Sequence, residues 1–155
     1  MILFGEFTKI KIADFALNWR WTDPHYCMMP LNDIGQIYPV DEESSKYIWD
    51  ESLLLIDDHD ELAVPNDKFL KCELADIDQI VDVIDWLKQR LPKCDVVINW
   101  QPDCSVITNT ALFIRYWDDF CYLSSDDVSI WPEDQSWVLH YHHSNVFVYG
   151  SSKRV

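Results

Sequence analysis

Three of the chain's five histidines, His140, His142 and His143, stand within four positions in the stretch "SWVLHYHHSNVF". Along an extended strand alternate side chains share a face. His140 and His142 then point one way with Val138, and Trp137, Leu139 and Tyr141 point the other. An H-x-H pair on one strand can supply two nitrogen ligands to zinc. A third ligand would have to come from elsewhere, with Asp126, Asp127, Cys121 or His25 as the donors, and the chemistry would be that of a metal-dependent hydrolase. No spacing ties any of those residues to the pair. Histidines at a partly exposed strand end are therefore the expectation, with no bound metal and no cofactor.

Other reactive constellations are missing. A nucleophile elbow of the G-x-S-x-G type is absent. With glycine only at Gly5, Gly35 and Gly150, no glycine-rich loop can cradle a phosphate. Asp118/Asp119 and Asp126/Asp127 could serve as paired carboxylates, but adjacent acids are frequent in a chain of this composition. Five cysteines (Cys27, Cys72, Cys94, Cys104, Cys121) are an odd, scattered set without C-x-x-C spacing. That usage suits reduced core thiols in the cytoplasm better than a disulfide framework. The chain reads as a binding protein rather than an enzyme.

Charge is the strongest signal. Twenty-seven acidic residues face twelve basic ones among 155, for a formal net charge of −15. Solubility needs a net charge of only about 2 to 8 in magnitude for a small domain. A surplus of this sign repels nucleic-acid phosphates and anionic membranes and attracts basic proteins. From Tyr116 to Ser152 there is no lysine or arginine at all. The acids fall into three groups: residues 41–61; Glu73, Asp76, Asp78, Asp82 and Asp85; and Asp118, Asp119, Asp126, Asp127, Glu133 and Asp134. The expected partner-binding residues are Asp57, Asp58, Asp60 and Glu61 in a loop, with Asp78, Asp82 and Asp85 on one helix face.

The elements that position these residues follow from periodicity. An apolar share of 48% with eight tryptophans supports a packed core, and one domain over 1–155 is expected. No stretch reaches the roughly 18 apolar residues of a membrane span, and the first residues lack the pattern of a signal peptide. Residues 2–12 read as a strand or a docked arm, and the proline-broken run 19–40 as irregular. "DEESSKYIWDES" reads as a helix led by acids. "ADIDQIVDVIDWLKQRLP" carries Ile77, Ile80, Val81, Ile84, Leu87 and Leu91 at helical spacing, which predicts one long helix with those residues buried. Asp76 and Gln79 fit a capping box at its start, and Pro92 fits its stop. "DVVINW" and "SVITN" read as paired strands, followed by a helix opening near Asn109. Val128–Trp131, Trp137–His142 and Val146–Tyr149 read as three antiparallel strands with turns at "PEDQ" and "HSN". The class is α+β: an antiparallel sheet ending in a meander, packed with two or three α-helices.

The C-terminal third, "YWDDFCYLSSDDVSIWPEDQSWVLHYHHSNVFVYG", resembles the ending of bacterial immunity proteins, which are encoded beside polymorphic and contact-dependent growth-inhibition toxins. The W-D-D-F helix end, the S-S-D-D turn, the P-E-D-x-S-W hairpin and the aromatic strand closing at Gly150 carry the likeness, over about 40 residues. The resemblance implies a non-enzymatic cytoplasmic antitoxin that neutralises a cognate toxin domain. Such toxins are often nucleases with basic clefts, which an acidic inhibitor would block sterically and electrostatically. Another acidic interaction module, such as a nucleic-acid mimic, is the remaining alternative.

Overall fold

The computed structural model describes residues 2–152. Among these residues are seven strands: β1 (Tyr38–Pro39), β2 (Lys71–Asp76), β3 (Asp95–Gln101), β4 (Cys104–Asn109), β5 (Val128–Pro132), β6 (Trp137–His142) and β7 (Val146–Ser151). Six α-helices accompany them: α1 (Trp19–Thr22), α2 (Leu31–Ile34), α3 (Glu42–Leu53), α4 (Val83–Arg90), α5 (Thr110–Arg115) and α6 (Trp117–Phe120). The strands make one sheet in the order β1-β4-β3-β5-β6-β7-β2, every neighbouring pair antiparallel. The architecture is α+β, and among the described residues no helix is long and apolar enough to cross a membrane.

The sheet is covered on both faces. On one side Val96, Ile98, Val106, Ile130, Leu139 and Phe147 meet Leu87 of α4, Phe113 of α5, Phe120 of α6 and Trp21 of α1. On the other, Val97, Ile107, Trp131, Val138 and Val148 meet Ile48 of α3, Leu55, Val64, Phe69 and the N-terminal Phe4 and Phe7. This explains why β3 to β7 read as nearly unbroken apolar runs, since a strand buried on both faces has no solvent side to alternate with. The N-terminal segment is a docked arm of short 3-10 turns, with one isolated bridge between Lys9 and Val40. The run 19–40 holds the one-turn helices α1 and α2 and buries Trp21 completely.

The largest departure from periodicity lies at 71–90. Residues 71–76 are strand β2, hydrogen-bonded to β7 at the sheet edge, not part of a helix. A 3-10 turn, Ile77–Gln79, follows, and α4 begins only at Val83. The physical cause is capping. Asp76 accepts from the Asp78 amide, and Asp82 accepts from the Asp85 amide, so two short side chains each start a separate turn. Ile77 and Leu87 are buried as expected, but Val81 is fully exposed and Ile84 partly so. Asp78, Asp82 and Asp85 therefore do not share a helix face: Asp78 is in the 3-10 turn, Asp82 is the cap, and Asp85 lies in the first turn of α4.

At Gly150 the segment 64–69 lies close over the sheet. A Cβ there would stand 2.9 Å from Val64 Cγ2 and 3.2 Å from Phe69 Cγ. Gly150→Ala is expected to destabilise the fold by about 1–3 kcal/mol through overpacking, seen as a lower urea midpoint. An unchanged midpoint would mean that the 64–69 segment yields without cost.

Candidate functional site

One row of side chains crosses six strands. Ser105, Asn99, Ser129, His140, Val148 and Leu74 are direct neighbours in register on the face covered by α3. The row's buried polar members, Ser105, Asn99, Ser129 and His140, are satisfied, and buried Val148 continues the row as an apolar residue. Asn99 Nδ2 donates to Ser105 Oγ at 2.8 Å, and Ser105 shares a hydrogen bond with Ser45 of α3. His140 Nε2 lies 2.9 Å from the Leu55 carbonyl, which can only accept, so Nε2 carries the proton. Nδ1 then accepts from the Ser129 hydroxyl at 2.8 Å. With both nitrogens engaged inside the core, His140 has no lone pair for a metal. The H-x-H pair is thus split. His140 is a core residue and His142 is only partly buried, although both line a cavity of about 190 Å³ with Trp49, Asn99, Ser129 and Asp127.

Beyond this row, towards one end of the sheet, the carboxylates gather. Asp103 lies in the β3–β4 turn, Asp127 precedes β5, and Asp76 ends β2 opposite Val146, which in turn faces His142. The β6–β7 turn is the centre. Glu61 Oε2 is 2.9 Å from His142 Nε2, and Asp127 Oδ1 accepts from the His143 amide and lies 3.0 Å from its Nδ1. The Ile77 amide donates to the Asn145 carbonyl at 2.9 Å, which anchors the 76–85 segment to the same turn. The loop 57–61 and the segment Asp78–Asp85, separate in sequence, thus flank the β6–β7 turn from two sides.

Local bonds shape these acids without neutralising them. Asp57 and Asp60 accept from the His59 and Leu62 amides and hold their own loop. Asp126 is different: Arg20 binds it through two nitrogens at 2.6 and 3.0 Å, with both side chains largely buried. That pair removes Asp126 from the set of free charges, and Arg20 also stacks over Tyr122, 4.1 Å from its ring centre. Next to the acidic end an open groove of about 540 Å³ runs between β2 and α4, lined among others by Leu74, Asp76, Val81, Asp82, Asp85 and Trp86. Leu74 and Val81 are apolar and solvent-exposed there.

The other donors considered with the histidine pair are elsewhere engaged. Cys121 is buried, and burial pushes its thiol well above the usual range. His25 belongs to a turn held by Asp23. Cys104 is a core thiol, but Cys72 stands exposed on the edge strand, contrary to the reading of every cysteine as a core residue. His143 was not singled out as a metal ligand, because alternation along a strand gave no reason to group it with Asp127; only the turn does so. The chain matches no family model, and searches of curated proteins and of solved structures return no significant similarity.

His140 generates a pH prediction. Burial lowers its pKa from the ordinary 6.5 to about 4, only partly offset by the Leu55 carbonyl. Between those values the unfolded chain binds a proton that the folded chain refuses. Its contribution is therefore intact above about pH 6.5 and is lost as pH falls towards 4, by about 3 kcal/mol in all. Urea midpoints of the wild type and His140→Gln should converge as pH drops from 7 to 4.5. A constant gap would show that His140 is not held neutral.

Proposed function

We propose that the protein is an immunity-type inhibitor that binds a cationic toxin domain, of the kind formed by a nuclease with a basic cleft, and blocks it without catalysis of its own. The observation that carries this reading is that Glu61, in the acidic loop of Asp57, Asp58 and Asp60, and the Ile77 amide, at the head of the segment with Asp78, Asp82 and Asp85, both bond to the β6–β7 turn. Segments distant in sequence bring like charges to one end of one sheet, which costs folding stability through repulsion. A partner with positive charge relieves that repulsion. The groove beside them adds Leu74 and Val81, exposed apolar groups of the sort that anchor an interface while surrounding charges steer the encounter. The resemblance of residues 116–150 to immunity proteins points the same way.

The test uses the toxin domain encoded by the neighbouring gene. Association should slow by at least about tenfold between low salt and 0.5 M salt, because steering by exposed charge is screened. Reversal at Asp58, Glu61, Asp78 and Asp85, none of which is an N-cap, should lower the association rate by a similar factor and leave dissociation less affected. Wild-type association by the reversed variant would remove these residues from the interface.

A further inference from the structure

Asp127, His142 and His143 each offer a ligand atom, and these atoms lie within 4.8 Å of one another. We infer that they form a binding site for a divalent transition-metal ion of the zinc class, beyond the partner-binding role proposed above. The grouping is built by the fold. Val128 pairs with Tyr141, so the residue before β5 faces His142, the last residue of β6. The following turn then brings His143 back over Asp127, whose carboxylate oxygens lie 3.0 and 3.2 Å from His143 Nδ1. The two imidazoles are adjacent, with ring centres 4.1 Å apart.

The surrounding bonds hold this cluster in place. Asn145 and Ser124 both adopt left-handed backbone angles, φ 65° in each case. The Ser124 amide donates to Asn145 Oδ1 at 2.8 Å, Asn145 Nδ2 donates to Ser124 Oγ at 3.2 Å, and the Tyr141 hydroxyl donates to Asn145 Oδ1 at 2.6 Å. This clasp ties the loop before β5 to the β6–β7 turn and so sets the backbones that carry the carboxylate and the imidazoles next to each other. Glu61 on His142 Nε2 supplies the outer carboxylate that metal-bound histidines characteristically have, which leaves Nδ1 as the ligand atom. Nδ1 faces the Ser144 hydroxyl at 2.7 Å and the Ser144 amide at 3.2 Å, exposed turn contacts that the ion has to displace, unlike the core bonds of His140.

Two imidazoles and one carboxylate are a donor set for zinc and its neighbours, whereas calcium and magnesium prefer oxygen alone. Bonds of about 2.0–2.2 Å in a four-coordinate site set ligand atoms about 3.4 Å apart, so the wider separations here close by rotation of exposed side chains while the 3.0 Å Asp127–His143 contact opens. A fourth position remains for water or for a donor from a bound partner. The many nearby carboxylates raise the local concentration of any cation. The ion would cross-link the start of β5 to the β6–β7 turn, at the centre of the acidic end.

Calorimetric titration of ZnCl2 into tag-free, chelator-stripped protein in a Cys72→Ser background tests this, with Co²⁺ absorption as an independent report of ligand geometry. One equivalent of Zn²⁺ should bind, Mg²⁺ should not compete, and Co²⁺ should give the intense visible bands of a four-coordinate site. His143→Ala and Asp127→Asn alter exposed side chains and should each weaken binding by at least about 100-fold, and Glu61→Gln by about 10–100-fold. His25→Ala and His59→Ala should leave it unchanged. The inference is overturned by absence of saturable one-to-one binding, or by binding that survives both His143→Ala and Asp127→Asn. Partner binding is measured separately, so either result leaves the inhibitor reading to its own test.

Discussion

Antiparallel register is the constraint from which the rest follows. Because side chains alternate with a period of two, the pairing of Val128 with Tyr141 and of Asp76 with Val146 decides which residues meet at the end of the sheet and which lie in the core. A slip of one residue in β6 would send Trp137, Leu139 and Tyr141 to the α3 face and His140 into the opposite apolar layer. His140 resists this, since its two ring nitrogens find the Leu55 carbonyl and the Ser129 hydroxyl only in the observed register. A buried polar network of this kind specifies one arrangement because an unsatisfied alternative is costly.

The same strand therefore gives neighbouring histidines opposite fates. Two residues along β6 separate a neutral imidazole sealed under α3 from one only partly buried and facing Glu61. Charge shows a similar division. Asp126 is drawn into a bidentate pair with Arg20 and anchors the loop, while its neighbour Asp127 stays exposed beside His143. Structural tasks consume only some of the carboxylates. Of the surplus, Glu61 and Asp127 bond to the β6–β7 turn, within a segment, 116–152, that offers no lysine or arginine to compensate them. In our proposal that surplus is what a cationic partner meets.

Much of the fold was legible in the chain. The starts of β5, β6 and β7, the paired strands β3 and β4 and the helix α3 all follow from β-branched runs, turn residues and capping acids, while β5 runs on to Pro132 and β7 to Ser151. The edge strand β2 was not. "KCELAD" has no β-branched residue, and its strand character comes from pairing with β7, which is a tertiary fact. The isoleucines and valines after it keep helical spacing, yet Asp82 caps a new helix and leaves Val81 outside. The candidate site was legible in part. Both acidic groups stood out by composition, but their meeting at the β6–β7 turn depends on Glu61 reaching His142 across 81 residues and on Asn145 receiving the Ile77 amide. The histidine pair was visible as a spacing, whereas the grouping of His143 with Asp127 exists only once the hairpin closes.

Amide hydrogen exchange of the protein alone and saturated with the cationic toxin domain that our proposal assigns as its partner tests the central claim most directly. The account predicts that added protection concentrates in residues 57–61, 76–85 and 142–145, the three segments that converge at the acidic end. Protection confined to the opposite end of the sheet, around Lys71, Lys93 and the C-terminal turn of α4, would contradict it.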